Sequence, residues 1–213
     1  MKFSQLLEIL VDESVFETRV LFAGGVNPAD IRPHLCRWVR SGRLHKLRRG
    51  VYALAPPFRK VRPHPFLVAN RLVRSSYVSL ESALSYHGLI PDTVPVVTSV
   101  TTARLGRWQT PLGRYEFRHV KPPLFIGYRL TEVSPGQRAF LARPEKALLD
   151  LAYLRPERDT PVYLKELRLQ NLEGLDLDEL GRLAEKTKSP KLRRVAALVK
   201  ELAWAESREY EYL

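Results

Sequence analysis

Residues 55–65 read APPFRKVRPHP, four prolines in eleven positions. Proline fixes φ and donates no backbone hydrogen bond, so neither a helix nor a central strand can run through this stretch. Any fold of the 213-residue chain is therefore assembled from what lies on either side. The sequence divides into an N-terminal unit at 1–55, a stiff proline-rich linker at 56–65 and a second unit at 66–213.

The N-terminal unit reads as three short helices and a hairpin. Phe3, Leu6, Leu7, Leu10 and Val11 recur at helical spacing. Phe16, Val20, Leu21 and Ala23 suggest a second helix, stopped by Gly24 and Gly25. Asn27 followed by Pro28 reads as an N-cap with proline at the first helical position. Ile31, Leu35, Trp38 and Val39 then share one face of a third helix that ends near Ser41 and Gly42. Pro33 within it predicts a kink or a later start. Two apolar runs, Leu44–Leu47 and Val51–Leu54, flank Arg48, Arg49 and Gly50, a hairpin with glycine where positive φ is needed. Three helices followed by a basic hairpin is the order of a winged helix-turn-helix.

The second unit mixes both periods. Helices are expected over 66–73, over SLESALSYHG with Ser79 as N-cap and Gly88 as C-cap, and over PEKALLDLAYL. PVVTSVTT is β-branched and reads as a strand, and strands are expected over 104–108, 115–120, 127–133 and 137–142. Residues 161–208 are helical by pattern. The expected class is α+β: a winged helix-turn-helix, then an α+β domain with a small, mainly antiparallel sheet and C-terminal helices.

Charge is distributed unevenly over this plan. Residues 31–80 carry twelve basic side chains and no Asp or Glu, so this block alone accounts for the formal +12 of the whole chain. An ordinary solvated face would interleave carboxylates, so the segregation points to a polyanion as partner. Arg32, Arg37 and Arg40 lie away from the apolar face of the third helix, and Arg43, Lys46, Arg48 and Arg49 belong to the hairpin region. These seven are the candidate DNA-binding residues. A helix of this kind can enter a major groove, with Arg37 and Arg40 reaching guanine and Arg48 and Arg49 holding phosphate.

Other classes find less support. No window approaches the 18 or more apolar residues of a membrane span, the N-terminal residues lack a signal-peptide pattern, and Cys36 is the only cysteine. A cytoplasmic protein without disulfides, zinc or membrane contact is expected. The five histidines are scattered, and no phosphate loop or dinucleotide motif occurs. Ser79, Ser82, Ser85 and His87 lack the nucleophile-elbow context. Glu145, Lys146 and Asp150 offer the residue types of a nuclease set, but their spacing on one helix does not converge on a metal. No catalytic residue and no cofactor is expected. Trp38 reads as core, Tyr52 as packing on its own unit, and Cys36 as a buried or half-buried inert thiol. The alternative to a DNA regulator is a stand-alone nucleic-acid-binding or protein-adaptor module, its basic block holding RNA or acidic protein.

The blocks WVRSGRLHKLRRGVYALAP, SYVSLESALSYHGLIP, VPVVTSVTT, TPLGRYEFRH, ARPEKALLDLAYL, YLKELRLQNLE and PKLRR follow one another in this order. Together they resemble the AbiEi-type antitoxins of type IV toxin–antitoxin systems, over about residues 15 to 195. The resemblance implies a winged helix-turn-helix that binds double-stranded DNA at its own promoter as an autorepressor, and a second domain with antitoxin activity. It further implies a nucleotidyltransferase-like toxin from the neighbouring gene, countered without a stable complex. It carries over only Arg37, Arg40, Lys46, Arg48 and Arg49 as DNA-facing positions.

Overall fold

A computed structural model describes residues 1–22, 28–92, 94–155 and 161–210. Its first element, α1 (Phe3–Leu10), buries Phe3, Leu6 and Leu10 along one side. The segment expected to form a second helix is instead a strand, β1 (Val15–Glu17), running into a 3₁₀ turn at Thr18–Phe22. The reason is that Val15 and Phe16 are both buried, 2% and 0% exposed, and consecutive residues reach opposite cores only from a strand. Ala23, the Gly24–Gly25 stop and the Asn27 cap lie outside the described residues. The next helix, α2 (Pro28–Arg40), begins before Pro33 and continues through it, so the later start is not adopted. It closes in a Schellman motif. The Gly42 N–H bonds the Val39 carbonyl at 3.1 Å and the Arg43 N–H bonds the Trp38 carbonyl at 2.9 Å. Gly42 sits at φ +71, where a side chain would be strained. Strands β2 (Leu44–Arg48) and β3 (Val51–Leu54) then form the expected hairpin, with Gly50 at φ +78.

Strand β3 lies between β1 and β2 in an antiparallel sheet. Both faces of this sheet are covered. Phe16, Leu44 and Leu54 pack with Leu6, Leu21, Ile31, Leu35 and Trp38 of the N-terminal helices. Val15, Leu47, Val51 and Ala53 join the core of the second half, with Val68 and Leu72. A sheet buried on both sides reads as a continuous apolar run, which is why VYALA shows no alternation.

The proline-rich segment is fastened to both sides. Phe58 packs edge-on to Phe3, the Ser14 hydroxyl donates to the Val61 carbonyl at 2.5 Å, and Gln137 bonds both the Arg62 carbonyl and the His64 N–H. His64 Nδ1 also accepts from the Phe66 N–H and caps α3 (Pro65–Leu72).

Beyond it lies a six-stranded sheet built from β4 (Ser76–Val78), β5 (Val96–Thr101), β6 (Gly106–Thr110), β7 (Gly113–His119), β8 (Tyr128–Ser134) and β9 (Gln137–Ala142). The order is β6-β7-β5-β4-β9-β8, with β4–β9 and β5–β7 parallel and the other three pairings antiparallel. The sheet is thus larger than expected and mixed. Helices α4 (Leu80–Tyr86), α5 (Pro144–Leu154), α6 (Pro161–Glu166), α7 (Leu177–Lys186) and α8 (Pro190–Tyr210) complete the α+β fold. Among the described residues no helix is long and apolar enough to cross a membrane.

A candidate nucleic-acid interface

The burial of α2 fixes which of its side chains face outward. Ile31, Leu35 and Trp38 are at most 4% exposed and point into the N-terminal core. One turn of 3.6 residues then puts Arg32, Pro33, Cys36, Arg37 and Arg40 on the exposed side. Arg40 and Arg37 fall in the last turn, where the helix dipole favours cations, and Asp30 in the first, where it favours an anion. The dipole explains two arginines at that end but not the five other basic groups around them.

The hairpin places those groups. Lys46 lies opposite Tyr52 in the strand register, on the sheet face that α2 covers. Arg49 and Gly50 form the tip, held by Thr18, whose N–H and hydroxyl both donate to the Gly50 carbonyl. Between tip and helix is a cavity of about 370 Å³ lined by Thr18, Arg32, Leu35, Arg49, Gly50 and Tyr52. Burial, and then the nearby Cys36 thiol, raise the Tyr52 pKa against the pull of Arg32, so its hydroxyl stays protonated at the cavity wall. Tyr52 also stacks on Phe16 at 5.9 Å. On the opposite flank of α2, Arg37 and Arg43 line a shallow hollow with Trp38, and Arg43 lies over the Phe3 ring at 5.2 Å.

The seven candidates therefore occupy one helix, one hairpin and the connection between them. Six are exposed, and Arg48 is half-buried with its Nε shielded and without a hydrogen-bond partner. None of the seven forms an ion pair among the described residues. Of the five other basic residues in the block, Arg59 and Arg62 also form no ion pair among the described residues, but three are claimed by carboxylates. Lys60 pairs with Asp12, Arg71 with Glu13 and Arg74 with Glu17. These three cations tie the second half to the acidic segment beside β1 and do not belong to the candidate surface. They belong to the basic block only by sequence, since charge along the chain does not report what folding brings alongside. Glu17 holds this junction. Burial works against its charge, yet the Arg74 hydrogen bond and the attraction of Arg74, Arg19 and Arg71 outweigh it and hold its pKa below the usual carboxylate value.

Two further expectations change. Cys36 is exposed on the outward face of α2, not buried. Ser79 precedes α4 but does not cap it with its side chain. Its hydroxyl donates to Asp150 at 2.7 Å instead, and Thr98 Oγ1 accepts from the Ser82 N–H in the first turn of α4.

Asp150 is the hub of a buried polar cluster. It accepts from the Tyr77 hydroxyl at 2.9 Å and pairs with Lys146 at 2.5 Å. All four side chains are less than 5% exposed. Burial raises the Asp150 pKa, opposed by Lys146, Ser79 and Tyr77. Two hydroxyls and an ammonium aimed at one carboxyl suit its ionised form. Glu145, also buried, accepts from the Asp176 N–H at 2.9 Å. Of the three helical residues of the nuclease reading, Lys146 and Asp150 pair with each other while Glu145 turns to Asp176, and the cluster pins α5 to β4. No group of three His, Cys, Asp or Glu able to hold a metal occurs among the described residues.

No protein-family model matches this sequence, and no curated protein matches it.

Proposed function

We propose that this chain is a DNA-binding transcriptional regulator whose N-terminal part is a winged helix-turn-helix. The order helix, strand, 3₁₀ turn, helix, two-stranded hairpin is compatible with such a module, the turn at 18–22 standing where a second helix would be. In this reading α2 enters the major groove, Arg37 and Arg40 contact base edges, and Arg32, Lys46 and Arg49 hold phosphates. Arg43 and Arg48 are supporting contacts, the first held against Phe3 and the second half-buried. One observation carries the reading. Seven basic side chains share the α2–hairpin surface without an ion pair among the described residues, although the same stretch of sequence pairs Lys60, Arg71 and Arg74 with carboxylates. A fold able to neutralise its cations nearby leaves this group available to a polyanion.

The resemblance to AbiEi-type antitoxins extends the proposal to the biological role: an autorepressor at its own promoter, acting as antitoxin to a nucleotidyltransferase-like toxin encoded beside it. Competition on the chain's own upstream DNA tests the first step. Upstream DNA should displace a labelled copy of itself at least a hundredfold better than random duplex or structured RNA. Equal competition by RNA would refute a DNA regulator and favour the RNA-binding alternative.

A further inference from the structure

The β6–β7 hairpin carries a second concentration of arginine. Its register places Arg107 opposite Glu116 and Gln109 opposite Arg114. Alternation then sends Arg107, Gln109, Arg114, Glu116 and Arg118 to one face, while Trp108, Tyr115 and Phe117 turn to the core. Trp108 lies so close to Gly106 that a Cβ there would meet its ring at 2.4 Å, so Gly106 lets the indole fold inward and keeps this face polar. Arg104 is exposed just before the hairpin. Glu116 pairs with both Arg107 and Arg118, leaving Arg104 and Arg114 without an ion pair among the described residues. One carboxylate thus serves two of the four guanidinium groups.

This surface is separate from the first. β6 and β8 are opposite edges of the six-stranded sheet. The N-terminal half and the proline-rich segment meet that sheet at the β8–β9 side, through Gln137 bonding Arg62 and His64. Five strand spacings of about 4.8 Å put β6 roughly 24 Å from β8.

We infer that the outer face of the β6–β7 hairpin is a second nucleic-acid contact, binding the phosphodiester backbone through Arg104, Arg107, Arg114 and Arg118. The inference rests on the proposed function only in sharing its ligand. The surface favours phosphate over a protein partner for a physical reason. Protein interfaces are anchored by clustered apolar or aromatic side chains, and here the aromatics turn inward and leave Leu105, 68% exposed, beside the arginines without an aromatic neighbour on that face. Phosphate binding needs only placed cations, and arginine matches phosphate in two-pronged geometry. Being planar and sequence-blind, the hairpin would add affinity and salt dependence without specificity.

The test uses the full chain and a labelled duplex of arbitrary sequence. One variant carries Arg104→Gln, Arg107→Gln and Arg114→Gln. A second carries Arg32→Gln, Arg40→Gln and Arg49→Gln, and a third combines both sets. Unchanged thermal unfolding confirms that each variant is folded. The hairpin variant should lose about 0.9 of salt slope per phosphate contact, a drop of roughly 2–3. The second variant should keep weak, salt-dependent binding that the third lacks, and lysine at the three hairpin positions should restore the slope. The inference is overturned if the hairpin variant keeps the parent slope, or if it weakens binding to poly-glutamate but not to duplex. The proposed interface on α2 fails separately, if the second variant binds as the parent does while the hairpin variant binds nothing. A parent chain that binds no duplex overturns both.

Discussion

Replacing Lys146 by methionine isolates the energetics that hold the second half together. The substitution preserves most of the side-chain volume and removes the ammonium 2.5 Å from Asp150. Asp150 is 1% exposed and keeps only the Ser79 and Tyr77 hydroxyls as donors. Breaking one side of a buried pair leaves an uncompensated charge and costs about 3–5 kcal/mol. For a chain of this size that is a fall in Tm of about 6–20 °C. Urea unfolding followed by tryptophan fluorescence measures the difference. The pH dependence supplies a sign. In the variant nothing cationic opposes the rise that burial imposes on the Asp150 pKa, so its folded value lies further above its unfolded one. The deficit is then greatest above the folded value and narrows as pH falls toward the unfolded one. A second variant joining Lys146→Met with Asp150→Leu removes both charges and should recover part of the loss. A deficit under about 1 kcal/mol, or one that does not change with pH, would refute a charged, buried Asp150.

Three further outcomes follow from the same geometry. Glu17 has a depressed pKa, so its stabilising effect is complete above the unfolded value near 4.5 and is lost as pH falls through the folded value; Glu17→Gln should be less stable than the parent near neutral pH and equal to it in strong acid, by parallel denaturation curves. Cys36 lies exposed between Arg32 and Arg40 on α2, so a bulky maleimide there should abolish duplex binding, and bound duplex should slow the labelling. Arg40→Ala should cost about 1–3 kcal/mol on upstream DNA and relax preference at one base position, read by titration against substituted sites.

Much of the plan was legible because the relevant signals are local. The periodicity of Ile31, Leu35 and Trp38 identified α2, and Gly50 between apolar runs identified its hairpin. β1 and β4 escaped for a shared reason. Each is three residues long, too short to display a period, and each is defined by partners far along the chain: Val15 with Ala53, Val78 with Leu141. The apolar spacing of Phe16 and Val20 suited a helix until β3 offered a ladder. On α2, the outward facing of Arg32, Arg37 and Arg40 followed from helix spacing. That Lys60, Arg71 and Arg74 would be claimed by Asp12, Glu13 and Glu17 did not, because such pairs form between segments some fifty residues apart. Ser79 illustrates the same limit. Its position beside α4 suggested a cap, and only the packing of α5 against β4 brings Asp150 within reach of its hydroxyl.

The most direct measurement is the affinity of the full chain for its upstream DNA across a series of salt concentrations, with and without Arg32→Gln and Arg49→Gln. Binding should weaken linearly on a logarithmic scale as salt rises, and each substitution should make that line shallower by about 0.9. A line that is flat, or whose steepness ignores both arginines, would contradict a phosphate-binding surface built from α2 and the β2–β3 hairpin.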